Sequence, residues 1–360
     1  MKALDYAKLC CDTMMRKFNA SELPPVLHFH YHAGVFLSGM ERYYELIREE
    51  KYSRYIRAYL DTYVDSEGNL NHIEKESFDD LQPCNLMYRF YDIEVRYRKV
   101  LDEHLPLFLN WKINPLGGFW HKGNRKNQMW LDSLYMAGPL AVRYGLLTNQ
   151  RKYIEIIHTQ LELMWKYMRD EKTGLLYHAW DYDKEAVWAD SVSGCSPHFW
   201  GRALGWYVVA SADISEYLGD DHMAVDFTNH AHKLVESLLK FQDERTGMWY
   251  QVVDKVAYDG NWLETSCSCL FLYGLCNLIR RRIIDEKYVV YADKAFNGII
   301  SEKTRLEGDD LIISDICIGT GVGNYEHYIK RPTTENDLHG TGAFLLMCTE
   351  YEKMKQSIGE

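Results

Sequence analysis

Hydrophobic positions along the chain recur with a helical period, not a strand period. Leu4, Ala7, Cys11, Met14 and Phe18 follow one another at steps of three and four. Ile154, Ile157, Leu161, Met164 and Met168 do the same, as do Phe227, Ala231, Leu234, Leu238 and Phe241. Each set predicts an amphipathic helix with one wet face. A second pattern is apolar nearly all round and rich in small residues. It covers 31–46, 85–95, 131–144, 200–217, 266–279 and 340–350. A helix apolar on every side must be buried on every side. Gly138, Ala203, Gly205 and Gly342 would let such helices approach closely.

Amphipathic stretches alternate with these six, about one before each. Six inner and six outer helices predict an all-α (α/α)6 barrel. No Pro/Gly/Ser-rich linker interrupts the chain, so residues 1–360 are expected to form a single catalytic domain. Strand is expected only as short pieces in loops. A local repeat supports stacked hairpin units: Asp170-Glu-Lys-Thr-Gly174-Leu-Leu-Tyr-His178 resembles Asp243-Glu-Arg-Thr-Gly247-Met-Trp-Tyr-Gln251. Asp with Thr-Gly marks a turn in each. Long loops lead into the inner helices and carry most of the Trp, His and Asp residues, which is where a rigid scaffold presents function.

Composition narrows the function. Fifty-two acidic against forty-one basic residues give a net charge of -11, which sets aside nucleic acid and anionic membranes as main partners. Aromatic content of 14%, with 27 Tyr and 10 Trp, suits a protein that packs flat faces against sugars. Charges at Asp5, Lys8 and Asp12 leave no apolar signal core at the start. The longest mostly apolar run, 267–279, is too short to span a bilayer. Nine cysteines, including Cys10-Cys11 and Cys267-x-Cys269, make no disulfide framework, so a cytoplasmic location with reduced thiols is expected. None forms a C-x-x-C pair, and no metal site is expected.

Three stretches carry candidate chemistry. In Cys195-Ser-Pro-His198-Phe-Trp200-Gly-Arg202-Ala-Leu-Gly205-Trp206, Arg202 and Trp206 lie four apart on one helical face. A guanidinium beside an indole suits a sugar acid, the Arg forking onto its carboxylate; an interior ion pair packed on Trp is the plainer alternative. His178 belongs to the same dense region. In Trp120-His121-Lys122 through Trp130-Leu-Asp132, the Asp opens an inner helix. It is either a first-turn acid serving the helix dipole or a Trp-shielded carboxyl at the barrel mouth. The second reading expects a raised pKa and a proton held near neutral pH. Ser77-Phe-Asp79-Asp80 also leads into an inner helix, making Asp79 and Asp132 candidates for a facing pair. His28-x-His30-x-His32 lacks a matching acid or thiol set for a metal, and Gly319-Thr-Gly321-Val-Gly323 lacks the Lys-Ser/Thr of a P-loop and reads as a tight turn.

Taken together, the stretches resemble the unsaturated rhamnogalacturonyl hydrolases, glycoside hydrolase family 105, over almost the whole chain. The strings are Tyr31-x-x-Gly34, Trp120-His121-Lys122, Met129-Trp130-Leu131-Asp132, His178-x-Trp180-Asp181, Ser196-Pro-x-Phe-Trp200-Gly-Arg202-x-x-Gly-Trp206, Glu264-Thr-Ser266, Gly319-Thr-Gly-x-Gly323 and Asn336-Asp-x-His339-Gly-x-Gly-Ala-Phe344. The sequence departs from the family pattern at Cys84, where Gly is usual, and Phe29, where Trp is usual. The resemblance implies an (α/α)6 barrel, no metal and no organic cofactor. It implies an oligosaccharide substrate with a C4=C5 uronyl residue at its non-reducing end, left by a pectin lyase. It assigns Asp132 as general acid/base, protonating C4 and activating the water that adds at C5, and Asp79 as the second carboxylate. Tyr31, His121, Lys122, Trp130, His178, Trp200, Arg202 and Trp206 are implied to hold the sugar. Three rivals stand beside this reading. They are an inverting glycosidase using both acids, an unsaturated glucuronyl hydrolase of glycosaminoglycan fragments, and a non-catalytic sugar-binding barrel.

Overall fold

The computed structural model describes residues 1–74, 76–256 and 258–359. Its helices alternate between an outer and an inner ring. Helix α1 (Ala3–Lys17) leads into α2 (Tyr31–Ile47). α3 (Glu50–Tyr63) leads into α4 (Phe78–Leu81) and its 3-10 continuation Gln82–Phe90. α5 (Val95–His104) precedes α6 (Asp132–Leu147), α7 (Lys152–Met168) precedes α8 (Gly201–Leu218), and α9 (Ala224–Leu239) precedes α10 (Thr265–Arg280). α11 (Val289–Lys303) is followed by the short α12 (Tyr325–Ile329) and by α13 (Leu338–Ser357). The inner members pack in sequence: α2 on the 82–90 segment, that segment on α6, then α8, α10 and α13. α13 returns to α2, closing the toroid.

Burial follows the two sequence patterns. α10 is buried without a break from Thr265 to Ile279, whereas α7 buries only a stripe through Ile154, Ile157, Leu161, Met164 and Met168. The small residues set the helix spacing: a Cβ on Gly342 of α13 would lie 2.5 Å from the Val35 carbonyl carbon of α2. One inner element differs from expectation. The segment expected over 85–95 forms earlier, over Gln82–Phe90, and as a 3-10 helix. Pro83 stands in its first turn, where the missing N–H ends the α-helical ladder of Phe78–Leu81.

Strand is confined to three two-stranded antiparallel pairs among the described residues. They are β1 (Gln128–Trp130) with β2 (Ala179–Asp181), β3 (Thr304–Glu307) with β4 (Asp310–Ile313), and β5 (Ile316–Cys317) with β6 (Thr333–Thr334). The sequence repeat is a structural repeat. Asp170 Oδ2 accepts from the Thr173 amide and hydroxyl, both at 2.8 Å, and Asp243 Oδ1 accepts from the same groups of Thr246, both at 2.7 Å. The glycines that follow have φ of 78° and 75°, where a Cβ is strained. All nine cysteines are unpaired and buried. Among the described residues no helix is long and apolar enough to cross a membrane.

Candidate active site

At one end of the toroid the loops enclose a cavity of about 330 Å³. Tyr31, Asp79, His121, Lys122, Trp130 and Asp132 all line it. A larger cavity of about 610 Å³ lies near Leu70, Leu107 and Trp111, but its lining is mostly apolar and its Lys112 and Glu76 are paired at 2.7 Å. The chemistry therefore singles out the smaller cavity.

Strand pairing sets up the first acid. β1 and β2 place Trp130 opposite Ala179, and the Leu131 amide donates to the His178 carbonyl at 3.1 Å. That contact delivers Asp132, the first residue of α6, to within 3.2 Å of His178 Nε2 through Oδ2. Neither of these two buried atoms has an aligned hydrogen-bond partner. On its far side, His178 Nδ1 meets the Tyr328 hydroxyl at 2.8 Å, and that hydroxyl accepts from the Gly323 amide at 3.3 Å. With Tyr328 donating to Nδ1, His178 turns Nε2–H toward Asp132. His121 stacks on Trp130 with centroids 4.1 Å apart, and its Nδ1 meets Ser133 Oγ at 2.9 Å.

The expected rise in the Asp132 pKa does not occur. Burial pushes its carboxyl up, but the His178 imidazole and the field of His121 outweigh burial and hold it below the usual carboxylate range. The Trp shield is present; what the sequence hid was a histidine folded against the acid from forty-six residues away. Burial lowers His121 itself to about 4, so it is neutral at pH 7.

A backbone bridge between Ser77 and Lys122 sets the second acid. It lays Lys122 Nζ 2.7 Å from Asp79 Oδ2. Burial raises the Asp79 carboxyl, and Lys122 with His121 more than reverses this, leaving it below its ordinary value and ionised.

Four expected sugar contacts lie in a layer behind the cavity. His178 is fully buried and backs Asp132. Trp200 faces His178 at 4.6 Å and carries the Arg202 guanidinium at 4.5 Å. Arg202, expected on the sugar carboxylate, donates instead to the carbonyls of Cys317 at 2.6 Å and Ile318 at 2.8 Å, with Glu264 4.0 Å away. The plainer alternative of an interior ion pair on Trp is the observed geometry. Trp206 shares that helical face but stands one turn deeper, stacked on Tyr135 at 4.5 Å inside the barrel. The unusual Phe29 and Cys84 are fully buried, and neither lines the cavity.

Other lining residues gave weak sequence signals. His28 pairs with Asp80 at 2.8 Å, whereas His30 and His32 reach the cavity with their Nδ1 atoms 3.1 Å apart. The spacing straddles the start of α2, with His30 as its N-cap and His32 in its first turn. The Gly319–Gly321 turn lines the cavity too. Arg331 on Gly319, His327 on the Gly321 carbonyl at 3.1 Å, and Arg202 hold its carbonyl side from behind. Met136, four residues beyond Asp132 in the Met129–Met136 string, and Arg125, which no motif marked, complete the lining. Two groups of potential metal ligands are His32, Asp337 and His339, and His158, Glu162 and Asp226. In the first, His339 lies 2.7 Å from Asp337, and in the second His158 lies 2.8 Å from Asp226.

A helical toroid with two carboxylates lining an aromatic-walled cleft fits a glycosidase-type scaffold. The family model described as Glycosyl Hydrolase Family 88 matches residues 6–355, and the chain belongs to that family. A solved glycoside hydrolase of family 105 from C. acetobutylicum ATCC 824 is 33% identical, with a TM-score of 0.91 over 96% of this chain and 99% of that one. The unsaturated rhamnogalacturonyl hydrolase YesR of Bacillus subtilis is 26% identical over 64% of this chain and 62% of its own length. The unsaturated 3S-rhamnoglycuronyl hydrolase of Formosa agariphila is 24% identical over 72% of this chain and 66% of its own length. The protein is a glycosidase of the unsaturated uronyl hydrolase group with the (α/α)6 toroid.

Proposed function

We propose that this enzyme removes the C4=C5 unsaturated uronyl residue from the non-reducing end of rhamnogalacturonan fragments left by a pectin lyase. Asp132 acts as the acid and then as the base. Its proton goes to C4, a water oxygen bonds to C5, and the carboxylate takes that water's proton. The hemiketal formed at C5 opens, and the bond from C1 to the next sugar breaks. The observation that carries this reading is Asp132 lining the cavity with His178 against it at 3.2 Å. In the free protein Asp132 is ionised. A uronate brings a second negative charge and displaces water, and both effects raise the neighbouring carboxyl's pKa. Binding therefore loads the acid. Asp79, kept ionised by Lys122, accepts from sugar hydroxyls, while Trp130 and Tyr31 wall the ring. The unpaired, buried cysteines support a reducing cytoplasm as its compartment.

The test is product NMR in heavy water with wild type and Asp132→Asn. Wild type is expected to place one deuterium at C4 and to leave the saturated analogue intact. Asp132→Asn is expected to lose about 10²–10⁴-fold or more in kcat, the usual worth of general acid–base catalysis. A saturated analogue cleaved at a comparable rate, or product without deuterium at C4, overturns hydration in favour of attack at C1.

A further inference from the structure

The inference rests on the proposed uronyl substrate and concerns what recognises its charge. A uronate entering this cavity meets two carboxylates, Asp79 and Asp132. Like charges at close range repel strongly in a partly desolvated site, so an anion there needs a dedicated cation. Most of the cations around the cavity already have partners. Lys122 lies 2.7 Å from Asp79, and Arg202 is turned onto the Cys317 and Ile318 carbonyls. Arg331 holds Gly319 and Thr320 from behind. His121 is neutral, its burial lowering it to about 4.

Arg125 is different. It lines the same cavity, its side chain is exposed at the rim, and its guanidinium carbon is 6.0 Å from the centre of the Trp130 ring. Among the described residues no carboxylate pairs with it, although its neighbour Lys126 is paired with Asp183 at 3.2 Å. Its backbone is fixed: the Arg125 amide donates to Lys122 at 2.8 Å, and its carbonyl accepts from Gln128 at 3.1 Å. Asn127 then ties the turn to the Trp120 indole at 2.8 Å and to Asp183 at 2.8 Å. A free guanidinium is thus carried on a pinned turn beside the ring-stacking Trp.

We propose that Arg125 is the specificity-determining residue that takes the uronyl carboxylate, by a forked pair of charge-assisted hydrogen bonds. Neither the guanidinium nor the carboxylate exchanges a proton, so the contribution is to binding.

The experiment compares Arg125→Gln and Arg125→Lys with wild type on an unsaturated rhamnogalacturonan disaccharide and on its uronyl methyl ester. On the free acid, Arg125→Gln should raise KM roughly 10–100-fold with kcat little changed, the range for a lost charged hydrogen bond. Arg125→Lys should recover part of that loss. On the ester, wild type and Arg125→Gln should have equal KM, because the charge is gone. Equal KM on the acid, or the same loss on acid and ester, overturns the assignment while wild-type turnover keeps the function. No wild-type turnover of any unsaturated uronide overturns both.

Discussion

The acid of this site is set by one contact. His178 Nε2 lies 3.2 Å from Asp132 Oδ2, held there by Tyr328 through Nδ1. Burial alone would raise the Asp132 carboxyl, and His178 and His121 bring it below the usual range. Replacing His178 by Gln removes the stronger of these partners, so the Asp132 pKa should rise. The proton that the proposed hydration delivers to C4 then persists to higher pH. The alkaline limb of kcat/KM, which reports the free enzyme, should move upward in His178→Gln and approach the limb of kcat. A limb that stays in place or moves down excludes Asp132 as the titrating acid. Asp132 was legible as a candidate because it opens an apolar helix beside Trp130. The direction of its pKa shift was not, because His178 arrives through β2.

Among the elements, the loop between β5 and α12 depends most on long-range support. Glu264 is its hidden anchor. It caps α10 by accepting from the Cys267 amide at 2.6 Å, accepts from the Cys317 amide at 3.0 Å, and lies 4.0 Å from Arg202. All three groups are buried. Glu264→Ala leaves the Arg202 guanidinium without its counter-charge, a change that typically costs about 3–5 kcal/mol at a buried pair. Chemical denaturation should show that loss, and activity should fall with it because the Gly319–Gly321 turn loses its footing. A loss under about 1 kcal/mol, the range of an exposed pair, would mean that the Cys317 and Ile318 carbonyls alone satisfy Arg202. The sequence placed Arg202 on the right helix, but a guanidinium with five donors takes whichever acceptors the fold brings, and here those are main-chain carbonyls from over a hundred residues on.

For the whole molecule, the buried apolar residues form one connected cluster from Ala3 to Met354. We propose that the chain unfolds as one cooperative unit. Its stability should fall on acidification well before the carboxylates titrate. Burial lowers His30 to about 4, His32 to about 3, His121 to about 4 and His230 to about 4. In the unfolded chain an imidazole takes its proton near about 6.5. Between these values the unfolded state binds more protons than the folded state, so stability is full above about pH 6.5 and is lost as pH falls toward about 4. Asp79 and Asp132, both held low, extend the loss further down. Denaturant midpoints at roughly pH 7, 5.5 and 4.5 should decline in that order. A flat profile would mean that these rings are solvated; transitions that differ between probes would mean more than one unit.

Sequence by itself determined the helical periods, the alternation of striped and fully apolar helices, and hence the toroid. It also determined the Asp-Thr-Gly turns and the acids at the helix mouths. These are local quantities: a 3.6-residue period, a cap and a left-handed glycine depend on near neighbours. Tertiary structure alone decided which cations stay free, since Lys122, Arg202 and Arg125 look alike in a string of residues. Only the folded chain pairs the first with Asp79, turns the second onto main-chain carbonyls and leaves the third exposed at the cavity rim. Coulomb energy depends on distance and burial, and both are set by contacts between residues far apart in the chain.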